Sequence, residues 1–317
     1  MENEFRLLID RQKNIQDVKN NYKEYTNVLI DMVNYGSWLI PRAYGSSKKD
    51  IEAVVVISVL FKQVVTMIDS AEIQIANGVV LPAILQGRAA FEASLYIDWI
   101  LKSDSEEKAS YYYVNNLLDH RKWALRIIKG TPQQKQFEND IKSRFSLVDF
   151  DKEQESAGKQ LEQINNILKQ PELKSIYEQF NMIYEKGKRE PNWYTPILRG
   201  GSLKTIARDV GRLPEYLFYY DKSSKIMHSS SYDDHVKFNK KDGRIIFEPI
   251  RNLNSIDYVL RFNMQVAVHT YKSIIKKYRT GELSNYINKY KNDWRKYCLN
   301  IPQVNYILEE SNQTLLK

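Results

Sequence analysis

The sequence predicts a mainly α protein, a multi-helix bundle with one small β-hairpin near 235–249. Three observations lead there. Glycine and proline are scarce, 12 and 9 in 317 residues, and so few breakers favour long helices over many short strands joined by turns. Apolar residues recur at helical spacing in one segment after another. Alternation of apolar and polar residues appears in Val236-Lys-Phe-Asn-Lys-Lys-Asp-Gly-Arg-Ile-Ile-Phe-Glu-Pro249, where Asp242-Gly243 supplies the turn of a hairpin.

Phe5, Leu8, Ile15, Val18, Tyr22, Leu29 and Val33 mark a first amphipathic helix over about 3–35, and Gly36 to Ser47, with Pro41 and Gly45, breaks it. A Val-rich helix then runs from about Asp50 to Ala76 and stops at Asn77-Gly78, a good C-terminal cap. Its longest apolar run, Ala53 to Phe61, ends at Lys62 and Gln63. That falls short of the about 20 apolar residues a bilayer span needs, so the segment reads as a buried helix and no membrane span is expected. Pro82 suits the first turn of the next helix, which ends near Ser103. Ser103 followed by Glu106 and Glu107 opens another, to about Lys129, and Thr131-Pro132 restarts helix.

The stretch 144–160 is polar and weakly patterned, and is expected to be a mobile insertion. Helix returns from Leu161 to Lys186 with an interruption at Pro171. Pro191, Pro196, Gly200 and Gly201 make 187–202 a loop, Ser202 caps a short helix, and Pro214 opens one that reaches His228. After the hairpin, a long helix from about Ser255 to Arg279 precedes a basic one from Ser284 to Tyr297. The expected organisation is a single helical domain over 1–317: an N-terminal helix and loop to residue 50, a core bundle with the hairpin at 51–280, and a basic extension at 281–317.

The formal net charge of +8 is concentrated. Between Thr270 and Lys296, Lys272, Lys276, Lys277, Arg279, Lys289, Lys291, Arg295 and Lys296 face only Glu282 and Asp293. Such a surface attracts nucleic acid or anionic lipid, or is simply a solvated helix face. One cysteine, Cys298, excludes an internal disulfide framework and a cysteine-based zinc site. The N-terminus lacks the pattern of a signal peptide, so a cytoplasmic location is expected. There is no dinucleotide fingerprint, P-loop, nucleophile elbow, zincin or kinase signature, and no cofactor is expected. His235, Asp233 and Asp234 match no ligand spacing, and no metal is expected.

The chemistry-bearing residues fall in two segments. Arg88 and Glu92 stand one helical turn apart among apolar residues, where a charge survives only if paired or hydrogen-bonded. The pair is either a structural network or an anion clamp beside an acid or base. Asp98 lies on a different helix face and is left out. The second segment is 222–235. His228 falls at a helix end with Ser224 and Tyr220 on its side of the helix and Ser229 in the turn after it, a setting that suits general acid–base work or plain capping. His120 and His269 read as ordinary helix residues.

Arg88-Ala-Ala-Phe-Glu92, then Pro191-Asn-Trp-Tyr194, Ser202-Leu-Lys-Thr-Ile-Ala207 and Tyr219-Tyr-Asp-Lys-Ser-Ser224 leading to His228-Ser229 resemble a bacterial family of unknown function, over about 51–275. That family carries an Arg-x-x-x-Glu helix and a Tyr-x-x-x-Ser-x-x-x-His-Ser-like segment. More distantly the chain is similar to the helical HEPN superfamily, whose members include dimeric ribonuclease toxins and phage-defence effectors. Those carry an arginine shortly before a histidine at a helix end; here Lys222 stands in that place, with charge but without the guanidinium fork.

The resemblance implies a protein of stress or phage defence, acting on RNA or another phosphate-bearing ligand and forming a homodimer. In a metal-independent ribonuclease His228 would be the acid or base, with Glu92 beside it and Arg88 and Lys222 neutralising phosphate. Tyr220, Ser224, Ser229, Lys276, Lys277 and Arg279 would hold the strand. The alternative is a non-enzymatic sensor or regulatory module in which the same residues form a buried structural network.

Overall fold

The computed structural model describes residues 11–46, 51–141, 150–187, 190–238, 243, 245–248 and 250–303. It is mainly α. The first helices are α1 (Arg11–Gly45), α2 (Ile51–Ala76), α3 (Val80–Lys102), α4 (Ser105–Ile127), α5 (Pro132–Asp140), α6 (Phe150–Leu168) and α7 (Pro171–Gly187). Short helices follow: α8 (Thr195–Leu198), α9 (Leu203–Asp209), α10 (Leu213–Glu215), a π-helical turn at Tyr216–Tyr220, and α11 (Asp221–Met227). The strands β1 (Val236–Phe238) and β2 (Ile245–Phe247) precede α12 (Ile256–Tyr278), α13 (Leu283–Lys289), a second π turn at Tyr290–Trp294, and α14 (Arg295–Leu299). The chain divides into two compact units, one of Met1–Lys49, Ile57–Lys102 and Leu203–Lys317, the other of Asp50–Val56 and Ser103–Ser202.

In the first unit α12 packs on α3 and α1. Val259, Phe262, Val266, Tyr271 and Ile274 recur at helical spacing and are all buried. Each such side chain contributes roughly 1.5–3 kcal/mol of burial. Phe262 meets Phe91 of α3 with ring centroids 5.6 Å apart. The expected break of the first helix at Gly36 is corrected: α1 continues through Gly36 and Pro41 to Gly45. Gly36 is a point of close approach instead. A Cβ there would lie 2.5 Å from the Tyr271 hydroxyl oxygen and 2.7 Å from Val65 Cγ2. The Tyr271 hydroxyl donates to the Met32 carbonyl at 2.9 Å, one turn before the glycine.

Helix α2 buries Ile57, Leu60, Phe61, Val64 and Ile68 and exposes Lys62, Gln63 and Asp69. By length and composition Ala53–Ala76 could cross a membrane, and half of its most apolar window is buried in the protein. Gly78, at φ +71°, ends it: the Val79 amide reaches back to the Gln74 carbonyl at 2.8 Å.

The expected hairpin over 235–249 also needs correction. The architecture is helical, and antiparallel pairing is confined to three residues a side, with Val236 opposite Phe247 and Phe238 opposite Ile245. A two-stranded ribbon this short is marginal without a covering layer, and Phe238, Ile245 and Phe247 are all more than half exposed. Asp242 of the expected turn lies outside the described residues.

In the second unit α4 packs on α5, α6 and α7. Thr131 caps α5 by accepting from the Gln134 amide at 3.0 Å, with Pro132 in the first turn. The expected mobile insertion at 144–160 is corrected for 150–160, which belong to α6; 144–149 lie outside the described residues. Its apolar positions are sparse but correctly spaced: Ala157, Ile164 and Leu168 are buried, and Gln154 Nε2 donates to the Ile127 carbonyl at 2.7 Å. Tyr111 hydrogen-bonds Gln179 at 2.8 Å, and Trp193 meets Tyr112 edge-on at 5.4 Å.

Candidate functional site

Within the first unit, α3 sets Arg88 and Glu92 one turn apart and the π turn brings Tyr220 against both. The Tyr220 hydroxyl accepts from Arg88 Nη2 at 2.9 Å and donates to Glu92 Oε2 at 3.1 Å. The cation and the carboxylate therefore communicate through a phenol. Tyr96 donates to the other oxygen, Glu92 Oε1, at 2.8 Å. The Arg88 guanidinium also lies 4.2 Å from the Tyr220 ring centroid, and the Tyr216 ring stacks on Tyr220 at 4.9 Å.

The π turn makes this possible: the Asp221 amide bonds the Tyr216 carbonyl, five residues back, widening the helix where the two tyrosines stack. Such turns occur often at functional sites. Arg88 is only 8% exposed, and its Nη1 is buried with no hydrogen-bond partner among the described residues. Burial pushes the Tyr220 phenol up to about 12, the Glu92 charge adding to the rise and Arg88 opposing it. The phenol thus keeps its proton, as a donor to Glu92, through the neutral range.

His228 is exposed just after α11, and no hydrogen bond joins its imidazole to Arg88, Glu92 or any other side chain among the described residues. Lys222 is exposed with its ammonium 4.7 Å from the Tyr258 ring centroid. Ser224 is half-buried and its carbonyl accepts the His228 amide at 3.1 Å. Ser229 is exposed at φ +55°. Arg279 is engaged by Glu282 and by Ser46 Oγ, while Lys276 and Lys277 are exposed on the last turns of α12 without an ion pair among the described residues. The structure therefore joins Arg88, Glu92 and Tyr220 and leaves the remaining candidates apart from them. Among the described residues, no three His, Cys, Asp or Glu side chains are grouped to hold a metal ion.

A second polar cluster, which sequence reasoning missed, surrounds Asp98 on α3. Arg212 Nη1 donates to Asp98 Oδ2 at 2.9 Å and to Ser94 Oγ at 2.6 Å. Ser273 Oγ donates to Asp98 Oδ1 at 2.7 Å, and His269 Nε2 lies 3.0 Å from Oδ2. Thr270 Oγ1 donates to Ser94 at 2.7 Å, and Arg212 Nε sits 3.3 Å from Glu215 Oε2. Burial pushes the Asp98 carboxyl up, but the His269 hydrogen bond and the Arg212 charge outweigh it and hold the group below the usual carboxylate range. A signal was present: Asp98 sits in Leu95-Tyr-Ile-Asp-Trp-Ile100, where a charge needs a partner as much as Arg88 does.

Residues 54–244, well over half of the chain, match the model of a family of unknown function, DUF5677. The chain belongs to that family. No curated protein and no solved structure matches it. The DUF5677 region contains Arg88, Glu92 and Tyr220, and Asp98 and Arg212 as well, whereas His269 and Ser273 come from beyond it on α12.

Proposed function

We propose that the chain is a cytoplasmic bacterial protein of the stress or phage-defence type, with α2 as a core helix, and that it acts as a sensor or regulatory module that holds a phosphate-bearing ligand such as RNA without cutting it. The observation that carries this reading is the closure of Arg88, Tyr220 and Glu92 on one another while the His228 imidazole stands exposed and without a hydrogen bond among the described residues. Metal-independent cleavage requires a base and an electrostatic stabiliser converging on the same few ångströms of substrate. A guanidinium that is 8% exposed and stacked on Tyr220 serves packing first.

One observation favours the HEPN-like reading, a metal-independent ribonuclease or toxin acting as a homodimer. Arg88 Nη1 is buried without an acceptor among the described residues. An unsatisfied cationic donor is costly, and a ligand oxyanion would satisfy it.

The test is incubation of the purified protein with single-stranded RNA in the presence of a chelator, following binding and chain cleavage together. Binding that weakens steeply with salt, with no cleavage by wild type, is the expected result. Cleavage by wild type that His228→Ala abolishes at unchanged melting temperature would replace this reading with the ribonuclease. Absence of both binding and cleavage overturns the two together.

A further inference from the structure

The charges around Asp98 do not balance locally. The buried Arg212 guanidinium is shared between Asp98 and Glu215, and His269 leans on the same Asp98 oxygen. Lys102 is taken by Asp209, whose carboxylate and carbonyl it reaches at 2.6 and 2.8 Å. Lys276 and Lys277 have no carboxylate partner among the described residues, yet both line a cleft of about 300 Å³ together with Asp98, Leu101, Lys102 and Ser273. Two ammonium groups without an ion pair among the described residues, side by side on the wall of an open cleft, raise the local concentration of anions.

We propose that this cleft, between the end of α3 and the last turns of α12, is a binding site for a phosphate monoester. A monoester carries about −1.5 to −2 charges near neutral pH and three acceptor oxygens, enough to engage both lysines at once, whereas a diester phosphate carries one charge; the Asp98 carboxylate in the same lining is already held by Arg212, His269 and Ser273. The volume lies at the small end of the range for ligand pockets, about 300–1,000 Å³, so a phosphate and its nearest organic neighbour fit, with Leu101 as the apolar part of the lining. Because Ser273 gives its proton to Asp98, its oxygen remains as an acceptor for a ligand hydroxyl. Arg212 and the Asp98 network underneath are positioning residues: they hold α3 and α12 together at the floor and leave the lysines to the ligand.

The inference rests on the phosphate-ligand reading of the function and narrows it to a terminal phosphate, whether on a mononucleotide or on an RNA end. Binding of three probes separates the outcomes: adenosine 5′-monophosphate, an RNA oligonucleotide with a 5′-phosphate, and the same oligonucleotide with a 5′-hydroxyl. Removing the terminal phosphate is expected to weaken oligonucleotide binding by about tenfold or more, the scale of a charge-assisted contact. Lys276→Ala/Lys277→Ala, exposed positions whose folding is checked by melting, is expected to erase that difference and to weaken the mononucleotide equally. If the mononucleotide fails to bind while the two oligonucleotides differ, the source is an RNA end. Equal binding of the two oligonucleotides, or a difference that survives in the double variant, overturns the monoester site while leaving RNA binding intact. No binding of any probe overturns the functional reading itself.

Discussion

Arg212 Nη1 lies 2.9 Å from Asp98 Oδ2, with only 3% and 9% of the two side chains exposed. Ser94, Ser273, His269 and Glu215 take up further donors and acceptors of the two groups. A buried ion pair of this kind is not in itself a large source of stability, because desolvation offsets much of the attraction. Its consequence is asymmetry: the pair tolerates joint replacement far better than the loss of one partner.

Arg212→Met is therefore expected to destabilise by about 3–5 kcal/mol, because Asp98 stays buried with His269 and Ser273 but without its guanidinium. Asp98→Leu should cost a similar amount. The double variant should lose clearly less than the sum of the singles, and urea unfolding of all four proteins measures the coupling. Additive losses would mean that the pair does not interact energetically.

The acid limb of stability should report Asp98. Its folded carboxyl is held below the usual range, first against burial, by the His269 hydrogen bond and the Arg212 charge. A depressed carboxyl contributes stability fully above its unfolded value of about 3.9, and that contribution is lost as pH falls through the lower folded value. Wild type should lose stability below about pH 4, whereas Asp98→Asn should start less stable and decline less steeply over the same window. Parallel pH profiles in urea unfolding would assign the acid sensitivity to other groups.

Arg88 and Glu92 were legible because a charged pair at helical spacing inside an apolar run has few explanations, and Tyr220 was legible as part of the second polar segment. Helical spacing puts Asp98 on another face of α3 and so gives no reason to join it to Arg88 and Glu92. Spacing alone does not tell whether that other face meets solvent, and α3 also buries Ser94, Leu95, Ile97 and Trp99. Arg212 follows Gly211 in a turn, and nothing local in Val210-Gly-Arg-Leu213 announces a partner far back in sequence. The π turn was equally silent, since apolar spacing alone does not distinguish a widened turn from an ordinary one. Apolar spacing marks the long helices, but it does not mark their ends where a glycine, as at Gly36, serves packing and not termination.

Tyr220→Phe removes the hydroxyl that links Arg88 to Glu92 while keeping the ring on which Arg88 and Tyr216 stack. It should cost about 1–3 kcal/mol, the range for leaving buried polar partners unsatisfied. Chemical denaturation measures it. A cost near zero would mean that water replaces the phenol, and that the cluster is open to ligands.

Gly36→Ala places a methyl group against the Tyr271 hydroxyl and Val65, at 2.5 and 2.7 Å. Tyr271 is fully buried and tied to the Met32 carbonyl, so it cannot swing aside without losing that bond. Overpacking of this kind typically costs about 1–3 kcal/mol, more than the helix propensity gained by replacing glycine. A melting temperature at or above that of wild type would show that α1 and α12 separate easily.

His228→Ala separates the two functional readings through stability alone, before any substrate is known. The side chain is exposed and hydrogen-bonded to nothing among the described residues, so its removal should change stability by no more than about 0.5 kcal/mol. Arg88→Met strikes the opposite case: a buried guanidinium is exchanged for an apolar chain, Tyr220 loses its donor, and Glu92 loses the cation that reaches it through Tyr220. That change should cost about 3 kcal/mol or more if the carboxylate depends on the cation. The contrast is informative because a base in an assembled catalytic cluster would share the fate of its neighbours. If His228→Ala destabilises as much as Arg88→Met, the imidazole is coupled to the buried network in solution, and the separation of His228 from Arg88 and Glu92 fails as an argument against catalysis.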